Sequence, residues 1–163
     1  MPVSNEDINN GISRASILAR CQVISNSPLV VLDVAHNESS MTRLRNFIDR
    51  KIENRADGSN AKVYVVCGML QDKEVVKSLS CFVSLVDHWN FATIDNERGA
   101  TSKYLSEKLD EAAGDVTRHV SVNLYDSVAD AYKATSEQLS NNDILVVFGS
   151  FFVAGDILKL IET

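Results

Sequence analysis

The chain has 163 residues, of which 45% are hydrophobic and 23% charged, and its formal net charge is −6. This balance is typical of one globular domain with its own core, and the negative charge argues against nucleic-acid binding through a basic face. The first ten residues are polar and acidic, unlike a signal peptide, and no apolar run approaches the ~20 residues that span a bilayer.

The chain opens with a short helical pattern over residues 7–16, which does not fit the strand–helix rhythm that follows. We interpret residues 1–17 as the tail of a preceding domain plus a linker. The main domain is then expected to cover residues 18–163.

Six apolar runs rich in β-branched residues predict strands. They cover residues 21–25, 29–34, 62–69, 89–94, 119–123 and 144–148. The runs at 62–69 and 144–148 contain stretches that are apolar on both faces, which is typical of interior parallel strands covered by helices. The first two runs are joined by only three residues, so they predict an antiparallel hairpin.

Amphipathic segments between the later strands predict helices. They cover residues 39–54, 73–85, 101–113, 126–139 and 153–161, and a turn cluster lies at 57–60. This alternation predicts an α/β, Rossmann-like open sheet of about six strands. We expect the sheet to be mixed, mostly parallel with one antiparallel edge strand, and to carry helices on both faces.

Polar side chains follow four of the predicted strands. Asp33 and His36 follow the second strand, Asp72 and Lys73 the third, residues 96–101 the fourth, and Ser150 the last. In open α/β sheets, ligands bind beyond the carboxyl ends of the strands, and helix N-termini there favour anions. We therefore expect a binding site at this edge.

Most of these residues also have a structural interpretation. Asn37, Thr101 and Ser150 stand where helix N-caps are expected, and Asp72 can cap a helix that begins at Lys73. The sequence alone leaves these alternatives open. His36 is the strongest functional candidate, because it lies between a strand end and a helix start.

Several motifs are absent from this sequence. It contains no Gly-x-x-x-x-Gly-Lys-Ser/Thr phosphate loop, no Gly-x-Gly-x-x-Gly and no Gly-x-Ser-x-Gly. His88 and His119 lie near strand starts and are interpreted as structural. Three cysteines without a Cys-x-x-Cys pair indicate free thiols in a reducing compartment, so we expect a cytoplasmic protein without a metal site or disulfide.

Five short motifs occur in a fixed order. Residues 19–22 read ARCQ, 32–37 read LDVAHN, 68–73 read GMLQDK, 98–101 read RGAT and 147–151 read VFGSF. The set resembles the C-terminal domain of the bacterial bifunctional dihydrofolate synthase/folylpolyglutamate synthase, a relative of the Mur peptide ligases. The chain departs from the family pattern at two places. Leu18-Ala19-Arg20-Cys21 stands where Pro-Gly-Arg followed by an aromatic residue or leucine is usual, and Glu38 stands where proline is usual.

The resemblance implies an ADP-forming ligase of folate biosynthesis, present here as an incomplete part. ATP would phosphorylate a carboxylate of dihydropteroate or tetrahydrofolate, and the amine of L-glutamate would attack the acyl phosphate. ATP and Mg²⁺ would be held mainly by an N-terminal ATPase domain absent from these residues. This domain would close over that site, so we expect no activity from it alone.

The resemblance also implies roles for single residues. Arg20 would contact the nucleotide phosphates, and Asp33 the ribose hydroxyls. His36 would face the reacting phosphate or the glutamate carboxylate, and Ser150 would lie at the glutamate pocket. Asp72 and Lys73 are expected as further substrate contacts.

Two other functions remain open at this point. One is another Mur-family ligase that joins a different amino acid. The other is an α/β binding module without catalysis, in which the polar strand ends would be incidental. Binding of ATP separates the second from the ligases, and the amino acid consumed separates the two ligases.

Overall fold

The structure is a computed structural model that describes residues 19–55, 60–116 and 119–162. The predicted helical segment at 7–16 and the boundary after residue 17 lie outside the described residues. The same holds for most of the predicted turn at 57–60.

Six strands form one sheet in the order β1-β2-β6-β3-β4-β5. Strand β1 pairs antiparallel with β2, and every other pair is parallel. The prediction of a mixed sheet with one antiparallel edge strand is confirmed. The strands are β1 Gln22–Asn26, β2 Leu29–Leu32, β3 Val63–Cys67, β4 His88–Ala92, β5 Ser121–Tyr125 and β6 Ile144–Phe148.

Within the described residues, five helices cover the two faces of the sheet, as predicted. They are α1 Glu38–Glu53, α2 Val75–Ser80, α3 Ser102–Ala113, α4 Val128–Ser136 and α5 Phe151–Ile161. The buried side chains of α1, α2 and α3 pack into one core cluster, and those of α4 and α5 pack into a second cluster on the other face.

Strand β6 lies in the middle of the sheet between β2 and β3. All five of its side chains are 0% exposed, because alternate residues enter the two core clusters. Burying a large aliphatic or aromatic side chain stabilises a fold by about 1.5–3 kcal/mol. The last strand of the chain is therefore a main source of its stability.

Helix α2 is shorter than the predicted helix at 73–85. It ends at Ser80 and continues only as turns to residue 85. Its N-cap is Glu74, which makes no capping hydrogen bond through its side chain. The interpretation of Asp72 as the cap is wrong, because that carboxylate instead pairs with Arg98 in the loop after β4.

Asp143 joins three strands at the amino edge of the sheet. Its Oδ1 accepts a hydrogen bond from the Lys62 N–H at 3.0 Å, and its Oδ2 accepts one from the Ser140 N–H at 2.8 Å. Its backbone carbonyl accepts from the Leu29 N–H at 3.1 Å. One buried residue thereby holds the starts of β2, β3 and β6 together.

At the carboxyl edge of the sheet, the backbone after β6 passes very close to the backbone after β3. Gly149 has a φ of 127°, and a Cβ built on it would lie 2.3 Å from the carbonyl oxygen of Gly68. Both the dihedral angle and the space require glycine here. This contact brings the loop that carries Ser150 against the end of β3.

We predict that Gly149→Ala lowers the free energy of unfolding by at least about 2 kcal/mol, because left-handed backbone and overlap with a carbonyl are both costly. Gly155→Ala is the matched control, since it lies within α5 and an added Cβ meets nothing within 4 Å. That variant should gain about 0.5–1 kcal/mol. Urea unfolding of the two variants measures the difference, and equal stabilities would contradict the prediction.

Candidate functional site

The carboxyl ends of the three central strands are joined by backbone hydrogen bonds. The Asp33 N–H donates to the Val147 carbonyl at 2.9 Å, and the Gly68 N–H donates to the Phe148 carbonyl at 3.3 Å. Residues that follow β2 and β6 therefore emerge side by side. The structure brings Asp33, His36 and Ser150 to one edge, as the sequence predicts.

Arg20 lies at the same edge, because β1 runs antiparallel to β2 and begins where β2 ends. Residues 19–21 form a turn before β1. The Val34 N–H donates to the carbonyl of Ala19 at 2.9 Å, which attaches this turn to the end of β2. Arg20 is exposed and forms no hydrogen bond or ion pair with any described residue. The forked donors of a guanidinium suit an anionic ligand.

The carboxylate of Asp33 is fully buried and is engaged within the chain. Its Oδ2 accepts from the Cys21 N–H at 2.7 Å, and its Oδ1 accepts from the Ala35 N–H at 2.7 Å. Arg43 of α1 places its Nη2 at 3.5 Å from Oδ2. Arg43 was missed by the sequence analysis, because nothing in its local pattern separates it from the other charges of α1. The ribose contact of Asp33 stays a prediction.

The Cys21 thiol lies beside this carboxylate, with its Sγ 3.4 Å from Asp33 Oδ2. Burial raises the pKa of Cys21 to about 11; the negative charge of Asp33 adds to the shift, and Arg43 opposes it. At neutral pH the thiol is protonated and serves as a hydrogen-bond donor. The raised pKa disfavours a thiolate at this position.

His36 is half-buried, just before α1 begins. Its Nδ1 lies 2.8 Å from the carbonyl oxygen of Val34. A carbonyl only accepts, so Nδ1 of the neutral ring carries the proton and Nε2 carries the lone pair. His36 thus offers Nε2 as the atom that accepts a proton or, once protonated, donates to an anion.

Three residues of this edge cap helices, as their structural interpretation proposed: Asn37, Thr101 and Ser150. The Asn37 Oδ1 accepts from the Ser40 N–H at 2.9 Å and opens α1. The Ser150 Oγ accepts from the Val153 N–H at 3.3 Å, opens α5 and is only 4% exposed. Capping uses the oxygen of Ser150 as acceptor and leaves its hydroxyl hydrogen to donate. The glutamate contact of Ser150 stays a prediction.

Asp72 and Lys73 lie in the loop after β3, which is joined to the loop after β4. The Gln71 N–H donates to the Arg98 carbonyl at 2.9 Å, and the Ala100 N–H donates to the Met69 carbonyl at 2.9 Å. The Arg98 guanidinium, as its hydrogen-bond partner, lowers the pKa of Asp72. Asp72 thus forms an ion pair with Arg98, while Lys73 forms no side-chain ion pair with another described residue.

Two cavities lie at opposite edges of the sheet. An open cavity of about 580 Å³, lined by Asn37, Glu38, Ser39 and Glu74, lies at the carboxyl edge. A more enclosed one of about 510 Å³ lies at the amino edge and is lined by residues that include Arg55, Lys62 and Asp87. His88 belongs to the amino edge, where it stacks on Tyr64 at 4.3 Å, in keeping with its structural interpretation.

The arrangement fits a phosphate group better than a metal ion. The guanidinium of Arg20, which has no partner among the described residues, and the N-terminus of α1 both favour an anion. Within the described ranges, no group of three or more His, Cys, Asp or Glu residues is placed to hold a metal ion. The same residues contain no helix that is both long and apolar enough to cross a membrane.

Comparison with known proteins gives one consistent family. The model described as Mur ligase, glutamate ligase domain matches residues 19–151. The dihydrofolate synthase/folylpolyglutamate synthase of Escherichia coli K12 is 32% identical over 162 residues, which are 99% of this chain and 35% of that protein.

Solved structures agree with the sequence comparison. E. coli FolC in complex with DHPP and ADP has a TM-score of 0.81 at 32% identity over 99% of this chain and 35% of its own. A bifunctional folylpolyglutamate synthase/dihydrofolate synthase with Mn, AMPPNP and L-glutamate bound has a TM-score of 0.81 at 29% identity. That match covers 100% of this chain and 36% of the other. The chain thus spans about 35% of the length of the curated relative it matches.

We predict that the neutral ring of His36 is protonated on Nδ1, because the Val34 carbonyl can only accept a hydrogen bond. Two-bond ¹H–¹⁵N correlation spectra of the ring nitrogens distinguish the two tautomers. The exposed His119, which has no ring hydrogen bond to another described residue, is the reference. A neutral His36 protonated on Nε2 would contradict the assignment.

Proposed function

The chain belongs to the family of Mur ligase glutamate ligase domains, and we propose that it serves as the C-terminal domain of an ATP-dependent ligase that adds L-glutamate to dihydropteroate or tetrahydrofolate. Its similarity to dihydrofolate synthase/folylpolyglutamate synthase extends over nearly the whole chain. We place the boundary of the domain near residue 18, with a preceding ATPase domain as its partner.

One observation carries this proposal. The same edge of the sheet presents an arginine without a partner among the described residues and a histidine whose Nε2 is available. Arg20 and His36 reach that edge from β1 and β2, next to the end of β6 that leads into Ser150. Such groups suit a site where charge develops on phosphate and carboxylate oxygens.

Each residue then has a distinct role. The forked donors of Arg20 bind the nucleotide phosphates, since a guanidinium matches their geometry. His36 Nε2 faces the reacting phosphate or the glutamate carboxylate. Ser150 donates its hydroxyl hydrogen to glutamate, and Lys73 adds a positive charge near the end of β3. Asp72 is a weaker candidate, because Arg98 already neutralises it.

We keep Asp33 as the proposed ribose contact, since its Oδ1 retains a lone pair beyond the hydrogen bond from the Ala35 N–H. Its side chain is 0% exposed in this structure. A ribose can reach it only when the surrounding residues move. The ribose contact therefore requires the turn that carries Arg20 to rearrange when the nucleotide binds.

ATP supplies the phosphoryl group that activates the substrate carboxylate as an acyl phosphate. The described part of this chain has no acidic cluster for Mg²⁺, so we propose that the preceding domain holds the ion. Closure of this domain over the nucleotide would exclude water from the acyl phosphate, which otherwise hydrolyses. Three free thiols fit a reducing compartment, and we propose the cytoplasm.

The full-length protein that carries this chain should form ADP only when L-glutamate and dihydropteroate or tetrahydrofolate are both present. The 163-residue chain alone should give no turnover, because it lacks the phosphate loop. A coupled ADP assay with L-glutamate, L-alanine and diaminopimelate as alternative amines tests the substrate class. Turnover with either of the last two in place of glutamate would refute the folate ligase.

In the full-length protein, Ser150→Ala should raise the KM for glutamate about tenfold, because one hydrogen bond to a charged group is lost. Ser127→Ala is its matched control, since Ser127 caps α4 in the same way but follows the edge strand β5. Both variants should lose about 1 kcal/mol of stability with their caps. If Ser150→Ala and Ser127→Ala change the KM for glutamate equally, Ser150 acts as a helix cap and not as a glutamate contact.

A further inference from the structure

The turn that carries Arg20 has an unusual backbone on both sides of the arginine. Ala19 has a φ of 58° and Cys21 a φ of 44°, so two residues with side chains adopt the left-handed region. This region is costly for any residue that has a Cβ. The turn keeps its shape only if contacts with the rest of the domain compensate for that cost.

Asp33 provides the central contact. Its Oδ2 accepts from the backbone N–H of Cys21 at 2.7 Å and lies 3.4 Å from the Cys21 Sγ. Its Oδ1 accepts from the Ala35 N–H at 2.7 Å, which fixes the carboxylate relative to the end of β2. Hydrogen bonds to an ionised acceptor are about twice as strong as neutral ones.

A fully buried carboxylate is itself unfavourable without a positive partner. Within the described ranges, Arg43 is the residue that forms an ion pair with Asp33, at 3.5 Å between Nη2 and Oδ2. Arg43 belongs to the second turn of α1, and 46% of its side chain is exposed. It thus reaches from the helix surface to the buried acid.

We propose that Arg43 is a positioning residue for Arg20: its guanidinium pairs with the buried carboxylate of Asp33 and balances its charge, and Asp33 holds the backbone of the turn from which Arg20 projects. The proposal rests on the proposed function, in which Arg20 contacts phosphate. It adds a residue from α1 to a site otherwise built from β1, β2 and β6. It also gives Asp33 a role in the unliganded domain.

The Cys21 thiol lies within this arrangement and supports it. The negative charge of Asp33 contributes to the raised pKa of the thiol, while the guanidinium of Arg43 acts in the opposite direction. Both charged groups are therefore close enough to Cys21 to act on the residue that follows Arg20.

The first test is amide hydrogen exchange on the 163-residue chain. In Arg43→Gln, exchange at the Cys21 amide should accelerate about tenfold, the effect of losing a hydrogen bond to a charged group. Arg43→Lys keeps the charge and should restore most of the protection. Arg50→Gln is the matched control, because Arg50 is exposed on the same helix and its side chain donates to the Asn46 carbonyl within that helix. Exchange at Cys21 in this variant should stay within about twofold of that in the original chain.

Unchanged exchange at Cys21 in Arg43→Gln would overturn the proposal. Protection at Val146 in β6 is the reference for intact folding. If Arg43→Gln loses that protection as well, Asp33→Asn becomes the deciding variant, because it alters the acceptor of the Cys21 N–H directly. Unchanged exchange at Cys21 in Asp33→Asn would also overturn the proposal.

The second test is a double-mutant cycle in the full-length ligase. Arg20→Gln and Arg43→Gln should each raise the KM for ATP, and the double variant should be no worse than Arg20→Gln alone. Additive effects would show that Arg43 binds the ligand itself and would overturn the positioning role. If Arg20→Gln leaves the KM for ATP unchanged, the phosphate role of Arg20 fails, while the exchange experiment still decides how the turn is held.

Discussion

Strand β6 is the constraint on which the rest of this domain depends. It is nearly the last element of the chain, yet it lies between β2 and β3 and pairs with both. Its five side chains enter the two core clusters alternately, so neither face is complete before residues 144–148 are in place. Long-range pairing of this kind makes folding slow and cooperative, and it couples the core directly to the site at the end of the same strand.

That coupling is visible in the backbone beyond β6. Gly149 turns at a φ of 127° against the carbonyl of Gly68, and Ser150 then opens α5 with its hydroxyl. The strand that completes the core therefore also determines where the α5 N-terminus points. The same few residues determine both the stability of the fold and the geometry of the site. For this reason the turn has no space for a side chain at Gly149, and Ser150 is almost fully buried.

The sequence predicted the sheet well because its signals are local. Apolar runs, the three-residue link before Leu29 and the polar strand ends all lie within short windows. The arrangement around Asp33 was not predictable, because it joins Cys21, Asp33 and Arg43 from three separate elements. The capping role proposed for Asp72 failed for the same reason: its partner Arg98 lies 26 residues away and meets it only when two loops pair.

The buried acids at the two edges of the sheet support different structures, and this difference favours the carboxyl edge as the site. At the amino edge, both oxygens of Asp143 are used by the backbone N–H groups of Ser140 and Lys62. The more enclosed cavity lies at that edge, next to Asp143, whose carboxylate already accepts hydrogen bonds from the backbone. At the carboxyl edge, the buried acid is likewise engaged, but it supports a turn whose arginine has no partner among the described residues. A phosphate gains most where a satisfied framework presents an unsatisfied guanidinium, and it is the proposed ribose contact of the buried Asp33 that requires this framework to move.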